Sequence, residues 1–322
     1  MGTAAENLAA TNALHPFAQP VPKGSLRPSM TAKTQTNPGA VRPSRVGLIG
    51  GTGQMGSLFA SLLRRDGLEV RVAGPMEDPT YGGLVTQCEV VIVTVPISQT
   101  EAVIGRIAPH LRPEQLLSDF TSVKAAPVAA MLATPAQVIG CHPLFGPMPN
   151  PAGQNVVLCP ARPGPWMDWY RDFFTRHGMT VSEMSPQAHD EAMAFIQGLT
   201  HFINIVFART LQTREAGLKD ILTVCSPVYQ ILFSILCRIL SGNAELYGQI
   251  QISNSSNPPV LREFLANGEE LLNAVNEQDT ETVYRLFNEA SEYLGPFRQR
   301  AREDSDFLIQ QMTGRHRAGD GK

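Results

Sequence analysis

The stretch Val46-Gly47-Leu48-Ile49-Gly50-Gly51-Thr52-Gly53-Gln54-Met55-Gly56 decides the fold. A short apolar run ends in G-x-G-x-x-G at Gly51, Gly53 and Gly56, and helix-forming residues follow through Leu63. The glycine pattern is weak by itself and informative between a strand and a helix. Gly51 permits the tight turn, Gly53 lets the backbone approach a pyrophosphate, and Gly56 allows a helix to lie close on a strand. Unpaired N–H groups at the helix start then face the anion. Gly51, Thr52, Gly53, Gln54, Met55 and Gly56 are therefore candidate cofactor-binding residues, and a nicotinamide dinucleotide is the expected ligand. The acid that binds ribose hydroxyls in such sites is expected about twenty positions on, at the end of the second strand. Gly74 stands there, with Glu77 and Asp78 just beyond and Arg71 inside the strand. NAD is the first expectation and NADP stays open.

Outward from this turn, apolar runs alternate with helix-like segments: 46–50, 69–73, 89–95, 115–120 and 137–141. Strands apolar on both sides and separated by helices belong to parallel sheets covered on both faces. A strand at 155–158, a helix from Trp166 to His177 and an extended piece at 180–182 complete the domain. From Ser185-Pro186, an N-cap followed by a first-turn proline, the strand signal gives way to helices. They are expected from 185 through the apolar residues 195–207, then at 228–240, 260–276 and 280–312, with loops at 241–243 and Gly295-Pro296. The first of these is apolar nearly all round, which implies burial on more than one side and a subunit interface to supply it. The expected fold class is α/β: an N-terminal Rossmann-type doubly wound parallel sheet at 44–183, then an all-α dimerisation domain at 184–312. Residues 1–43, rich in Ala, Pro, Thr and Asn, read as a disordered leader, and 313–322 as a disordered tail.

The formal net charge of −3, with both signs scattered, offers no basic field for nucleic acid. Cys88, Cys141, Cys159, Cys225 and Cys237 show no short paired spacing, so no disulfide framework or metal knuckle is expected, and a reducing cytoplasm fits. No signal-peptide pattern is present, and the apolar stretches at 195–207 and 228–240 read as too short and interrupted to cross a bilayer. A small molecule is the expected partner, with no metal.

His142 ends the fifth strand, at the carboxyl edge where doubly wound folds bind ligands. A histidine there can take a proton near neutral pH. Its run Gly140-Cys141-His142-Pro143-Leu144-Phe145-Gly146-Pro147 resembles the G-x-H-P-[ML]-F-G-P signature of prephenate dehydrogenases. Further matches follow in order: the glycine turn, Val95-Pro96-Ile97, 119–124 (Asp-Phe-Thr-Ser-Val-Lys), His189-Asp190, 194–202 and Ser226-Pro227-Val228-Tyr229. The resemblance covers about residues 45–310 and looks closest to the branch whose members are often fused to a chorismate mutase. The leader is expected to be too short and too poor in helix formers to be that mutase. The resemblance implies oxidative decarboxylation of a cyclohexadiene: hydride leaves C4 for the nicotinamide, the C4 substituent loses a proton, and carbon dioxide departs. It implies His142 as the group deprotonating that substituent and Ser122 beside it, ordering imidazole and nicotinamide. It further implies His201, Thr200, Gln197, Ser256 and Lys124 as substrate-binding residues, and Val95 and Pro96 as further cofactor-binding residues. On residue pattern alone, Ser122 and Lys124 read as the cap and first turn of a helix.

In one place the chain departs from the resemblance. The branch's S-S-E-R-N segment, whose arginine pairs with a substrate carboxylate, corresponds to Ser253-Asn254-Ser255-Ser256-Asn257, so Ser256 stands at the arginine position. Loss of one partner from a desolvated arginine–carboxylate pair costs about 2–5 kcal/mol. Either Arg262 substitutes or the substrate differs, and the expected substrate is 4-amino-4-deoxyprephenate. The alternatives are a true prephenate or arogenate dehydrogenase and a non-catalytic dinucleotide-binding regulatory relative. A generic hydroxyacid or imine reductase shares the glycine turn but does not predict the His-Pro-Leu-Phe-Gly-Pro run.

Overall fold

A computed structural model describes residues 41–74 and 81–319, with side chains described through 312. The leader through residue 40, and Glu77 and Asp78, lie outside the described residues. Seven strands form one sheet in the order β2-β1-β3-β4-β5-β6-β7. They are β1 (Arg45–Ile49), β2 (Glu69–Ala73), β3 (Val90–Val93), β4 (Leu116–Asp119), β5 (Gln137–Pro143), β6 (Asn155–Arg162) and β7 (Thr180–Glu183). All neighbours run parallel except β5 and β6, which pair antiparallel, Cys141 opposite Leu158 and His142 opposite Val157. No crossover helix joins that pair; a loop at 144–154 does, and it lets the chain turn straight back.

Side chains alternate along each strand and so cover both faces. Val46 and Leu48 of β1, with Val90 and Ile92 of β3, lie with α1 (Gln54–Arg65) and α5 (Trp166–Arg176); Phe59, Trp169, Tyr170, Phe173 and Phe174 fill that layer. Ile49, Val91 and Val93 point the other way, against α2 (Tyr81–Gln87), α3 (Ile97–Ile107) and α4 (Ala125–Leu132). Each buried side chain of this size contributes about 1.5–3 kcal/mol of transfer free energy. The strand order reverses beside β1, where β2 lies on one side and β3 on the other. In doubly wound sheets ligands bind at such a point, in the crevice beyond the carboxyl ends of the strands, here β1 and β3.

The second half is helical. It comprises α6 (Pro186–Met193), a π-helical segment Ala194–Leu199, α7 (Thr200–Thr213), α8 (Leu218–Val224), α9 (Pro227–Leu240), α10 (Ala244–Ser253), α11 (Asn257–Glu277), α12 (Thr280–Leu294) and α13 (Phe297–Gly319). Ser185 caps α6, its side chain accepting from the Ala188 N–H at 3.1 Å. α8 and α10 have no counterpart in the sequence reading; both are short and lack a long apolar period. The 280–312 span breaks at Gly295-Pro296, and the backbone of α13 stays helical through Gly319, past the point where an unstructured tail is expected.

The run from Pro186 to Thr213 corrects a second expectation. It is 28 residues of continuous helix, long and apolar enough by length and composition alone to cross a membrane. The 195–207 stretch looked shorter because α6, which precedes it, carries His189 and Asp190. Both are buried against the nucleotide-binding half, where α6 meets α4 and β6.

Candidate active site

The glycine turn has the geometry a dinucleotide requires. Gly50 sits at φ +84°, and a Cβ there would meet the Thr94 carbonyl at 2.8 Å, so only glycine closes the turn without strain. A Cβ on Gly56 would stand 2.5 Å from Gly51 Cα and 2.7 Å from Gly50 O. Thr52, Gly53 and Gln54 remain exposed, Met55 is half-buried, and no side chain caps the start of α1. Its first N–H groups therefore have no side-chain acceptor at the cap, as an anion-binding helix start requires. Thr94, absent from the sequence reading, locks this corner: its N–H and hydroxyl both donate to Ile49 O, at 2.7 and 3.1 Å. Val95 and Pro96 continue from it, half-buried and exposed, with Pro96 at the N-cap of α3. At the end of β2, Gly74 faces Thr52, where a Cβ would come within 3.8 Å of the threonine side chain. Arg71 pairs with Glu69 at 2.9 Å, which neutralises it locally. The residues present thus fit a dinucleotide.

Across the sheet, β5 brings His142 into the interior, 2% exposed. Its Nδ1 lies 2.8 Å from His189 Nε2, and His189 Nδ1 lies 2.7 Å from Asp190 Oδ1. Asp190 also accepts from the backbone N–H of Lys124 at 2.8 Å and of Ala125 at 2.9 Å. A carboxylate only accepts, so His189 carries its proton on Nδ1 and offers the Nε2 lone pair. His142 must then donate from Nδ1, which leaves its own Nε2 as a free lone pair. Burial, then the neighbouring His189 and Lys124 charges, hold the His142 pKa well below the usual histidine value, so the ring is neutral at pH 7. Burial also lowers His189, against the opposing pull of Asp190. Burial acts to raise Asp190, but hydrogen bonds from His189, Ala125 and Lys124 outweigh it and the carboxylate stays ionised.

Two expectations change here. Ser122 is half-buried and makes no hydrogen bond to His142 among the described residues; His189 orders the imidazole instead. Nor does Ser122 cap α4: Asp190, more than sixty residues away, receives the first N–H groups of that helix. Lys124 is fully buried rather than facing a substrate. Its ammonium donates to Asp119, to Thr121 Oγ1 at 3.2 Å and to Cys141 O at 2.9 Å, which uses all three protons. It braces the end of β5 immediately before His142.

From the helical half, His201 packs edge-on against Tyr247 at a centroid distance of 4.7 Å, and burial lowers its pKa. His201 Nδ1 and Gln197 Oε1 are buried without a hydrogen-bond partner, as polar atoms awaiting a ligand would be. Thr200 is exposed, its hydroxyl 3.4 Å from Phe195 O. Ser256 is half-buried at the start of α11, and Arg262 is exposed one to two turns later. His189 and Asp190 are the functional residues that sequence reasoning left without a role. Their local signal is the His189-Asp190 pair itself, one of the matches that carry the family resemblance, on a short helix that also holds Gln187 and Glu191.

A doubly wound nucleotide-binding domain with a buried histidine at a strand end, followed by a helical domain, defines a class of two-domain dinucleotide-binding proteins. Within that class the chain matches the description "Prephenate dehydrogenase, nucleotide-binding domain" over residues 76–183 and "Prephenate dehydrogenase, dimerization domain" over 185–289. It is 31% identical to a T-protein of Enterobacter agglomerans over 81% of this chain and 70% of that one. The chain belongs to the prephenate dehydrogenase family. It is also 32% identical to a probable arogenate/prephenate dehydrogenase of Methanocaldococcus jannaschii, over 83% of this chain, and spans 65% of that protein's length. A 4-amino-4-deoxyprephenate dehydrogenase of Streptomyces pristinaespiralis is 28% identical over 77% of this chain and 90% of its own. The fold is shared with the crystal structure of Synechocystis arogenate dehydrogenase, at TM-score 0.61 and 19% identity over 79% of this chain and 99% of that one.

Proposed function

We propose that this protein catalyses nicotinamide-dependent oxidative decarboxylation of a prephenate-type cyclohexadiene, with His142 as the proton acceptor. The observation that carries the reading is the chain His142–His189–Asp190, in which an ionised carboxylate sets both imidazole tautomers and leaves the His142 Nε2 lone pair unprotonated. Nε2 takes the proton from the C4 substituent, and its depressed pKa keeps it unprotonated at the start of each turnover. The bound nicotinamide supplies the hydride acceptor. Gly51, Thr52, Gly53, Gln54, Met55 and Gly56 hold its pyrophosphate at the start of α1, with Val95 and Pro96 bordering the crevice; NAD is the proposed cofactor. Gln197, Thr200, His201 and Ser256 face the substrate from the helical half, and Ser122 flanks His142 without ordering it.

Within this class, 4-amino-4-deoxyprephenate is the substrate we favour. Ser256 at the arginine position removes one positive charge from the pocket, which suits a substrate carrying an amine at C4. The likeness to the Streptomyces pristinaespiralis enzyme is in keeping with it. A prephenate or arogenate dehydrogenase of tyrosine biosynthesis is the second reading, favoured by the 31% identity to a T-protein. Steady-state kcat/KM for prephenate, arogenate and the 4-amino analogue, each with NAD and NADP, separates them: a clear preference for prephenate eliminates the amine reading, and turnover of none eliminates both. The helical half, divided from the sheet near residue 184, forms a homodimer in this proposal, and a cytoplasmic location suits such an enzyme. Phe287 and Tyr293 on α12 and Phe297 on α13 are 72%, 89% and 76% exposed in the single chain, an apolar surface a second copy would cover.

A further inference from the structure

The turn between α10 and α11 carries Ser256 and is pinned from two sides. Asn257, fully buried, donates through Nδ2 to Ile250 O and Gln251 O, both at 2.9 Å, and so ties the turn to its own helix. Asn254, 2% exposed, reaches elsewhere. Its Nδ2 donates to Asp190 O at 2.7 Å, and its Oδ1 accepts from the Ser256 N–H at 2.9 Å. Asp190 is thereby held at both ends: its carboxylate by His189, Lys124 and Ala125, its carbonyl by Asn254. The π-helical segment begins four residues after Asp190, and such segments loosen the regular ladder of main-chain bonds. The Asp190 carbonyl also keeps the helical bond from the Ala194 N–H, so Asn254 is its second donor and its one tie to another helix; without it only the ladder of α6, beside the π-helical segment, holds the carboxylate toward His189.

We propose that Asn254 is a positioning residue for the reaction: one amide couples the turn that bears Ser256 to the His142–His189–Asp190 chain. Substrate contact at Ser256 and proton acceptance at His142 then belong to one hydrogen-bonded unit that crosses from the helical half to the sheet. The position holds serine in the family pattern; a hydroxyl also donates and accepts, but through a single atom, whereas the Asn254 amide meets Asp190 O and the Ser256 N–H with two separate atoms. The coupling rests on the functional reading above in assigning His142 its role.

The test compares Asn254→Ala with Asn257→Ala, which loosens the same turn without touching Asp190, in otherwise full-length protein. Imidazole nitrogen NMR reads which ring nitrogen of His142 carries the proton, independently of turnover. Asn254→Ala is expected to shift His142 toward the Nε2-protonated form and to lower kcat about tenfold, the worth of one buried hydrogen bond, with NAD affinity within twofold of wild type. Asn257→Ala is expected to raise KM while leaving the His142 signal in place. Should Asn254→Ala fail to fold, Asn254→Ser takes its place in the same comparison. An unmoved His142 signal in the Asn254 variant, or equal movement in both variants, overturns the proposal. If wild-type protein turns over no cyclohexadiene, the functional reading falls, while the NMR comparison still decides the coupling.

Discussion

His189→Leu isolates the tautomer argument. The substitution keeps an apolar side chain of moderate volume between β5 and α6 but deletes the acceptor for the His142 Nδ1–H, which it meets at 2.8 Å. A buried donor left without a partner costs about 1–3 kcal/mol. His142 escapes that cost by moving its proton from Nδ1 to Nε2, so the reactive tautomer becomes the minor one by the same amount. The expected fall in kcat is about 5- to 150-fold, since each 1.36 kcal/mol is a factor of ten. The glycine turn lies apart from this chain, so the dissociation constant for NAD should stay within about twofold. Rapid-mixing measurement of NADH formation, together with equilibrium NAD binding, checks both numbers. A kcat within twofold of wild type, or a loss of NAD affinity matching the loss of kcat, refutes the assignment of His189 as the group that sets the base.

His142→Asn removes the base itself and is expected to lower kcat by about 10² to 10⁴, more than His189→Leu, again with cofactor binding preserved. Lys124→Met leaves Asp119 charged and unpaired in a fully buried site; chemical denaturation should show a loss of about 3–5 kcal/mol, whereas a substrate-binding lysine would change KM with little effect on stability. Ser256→Arg should raise kcat/KM for prephenate by about tenfold or more if the pocket otherwise accepts its carboxylate, and no change would mean that the pocket is rebuilt more widely. Burial depresses His142, His189 and His201 in the folded state, so the unfolded chain binds protons more readily. Their contribution to stability is complete above the unfolded value of 6.5 and is lost as pH falls below it. Thermal melts from pH 8 to pH 5 should show the midpoint dropping below about 6.5, less steeply in His142→Asn.

Strands and their cofactor turn were legible in the sequence because they follow short-range rules. The unbroken apolar runs at 46–49 and 90–93, buried on both faces, and the steric demands on Gly50 and Gly56 act within a few residues, so 46–56 alone predicts strand, turn and helix. The chain also placed His142 correctly at a strand end. Its surroundings required the tertiary structure. His142, His189 and Asp190 meet across 47 positions, and Asp190 caps a helix 65 positions away, so no local pattern records either pairing. Lys124 shows the same limit: in sequence it is an ordinary cation near a helix start, and only the folded interior decides that its charge is neutralised by Asp119 rather than offered to a ligand. Backbone conformation is fixed largely by neighbours along the chain, while the protonation and orientation of a buried polar group depend on whatever distant atoms the fold places within hydrogen-bonding reach.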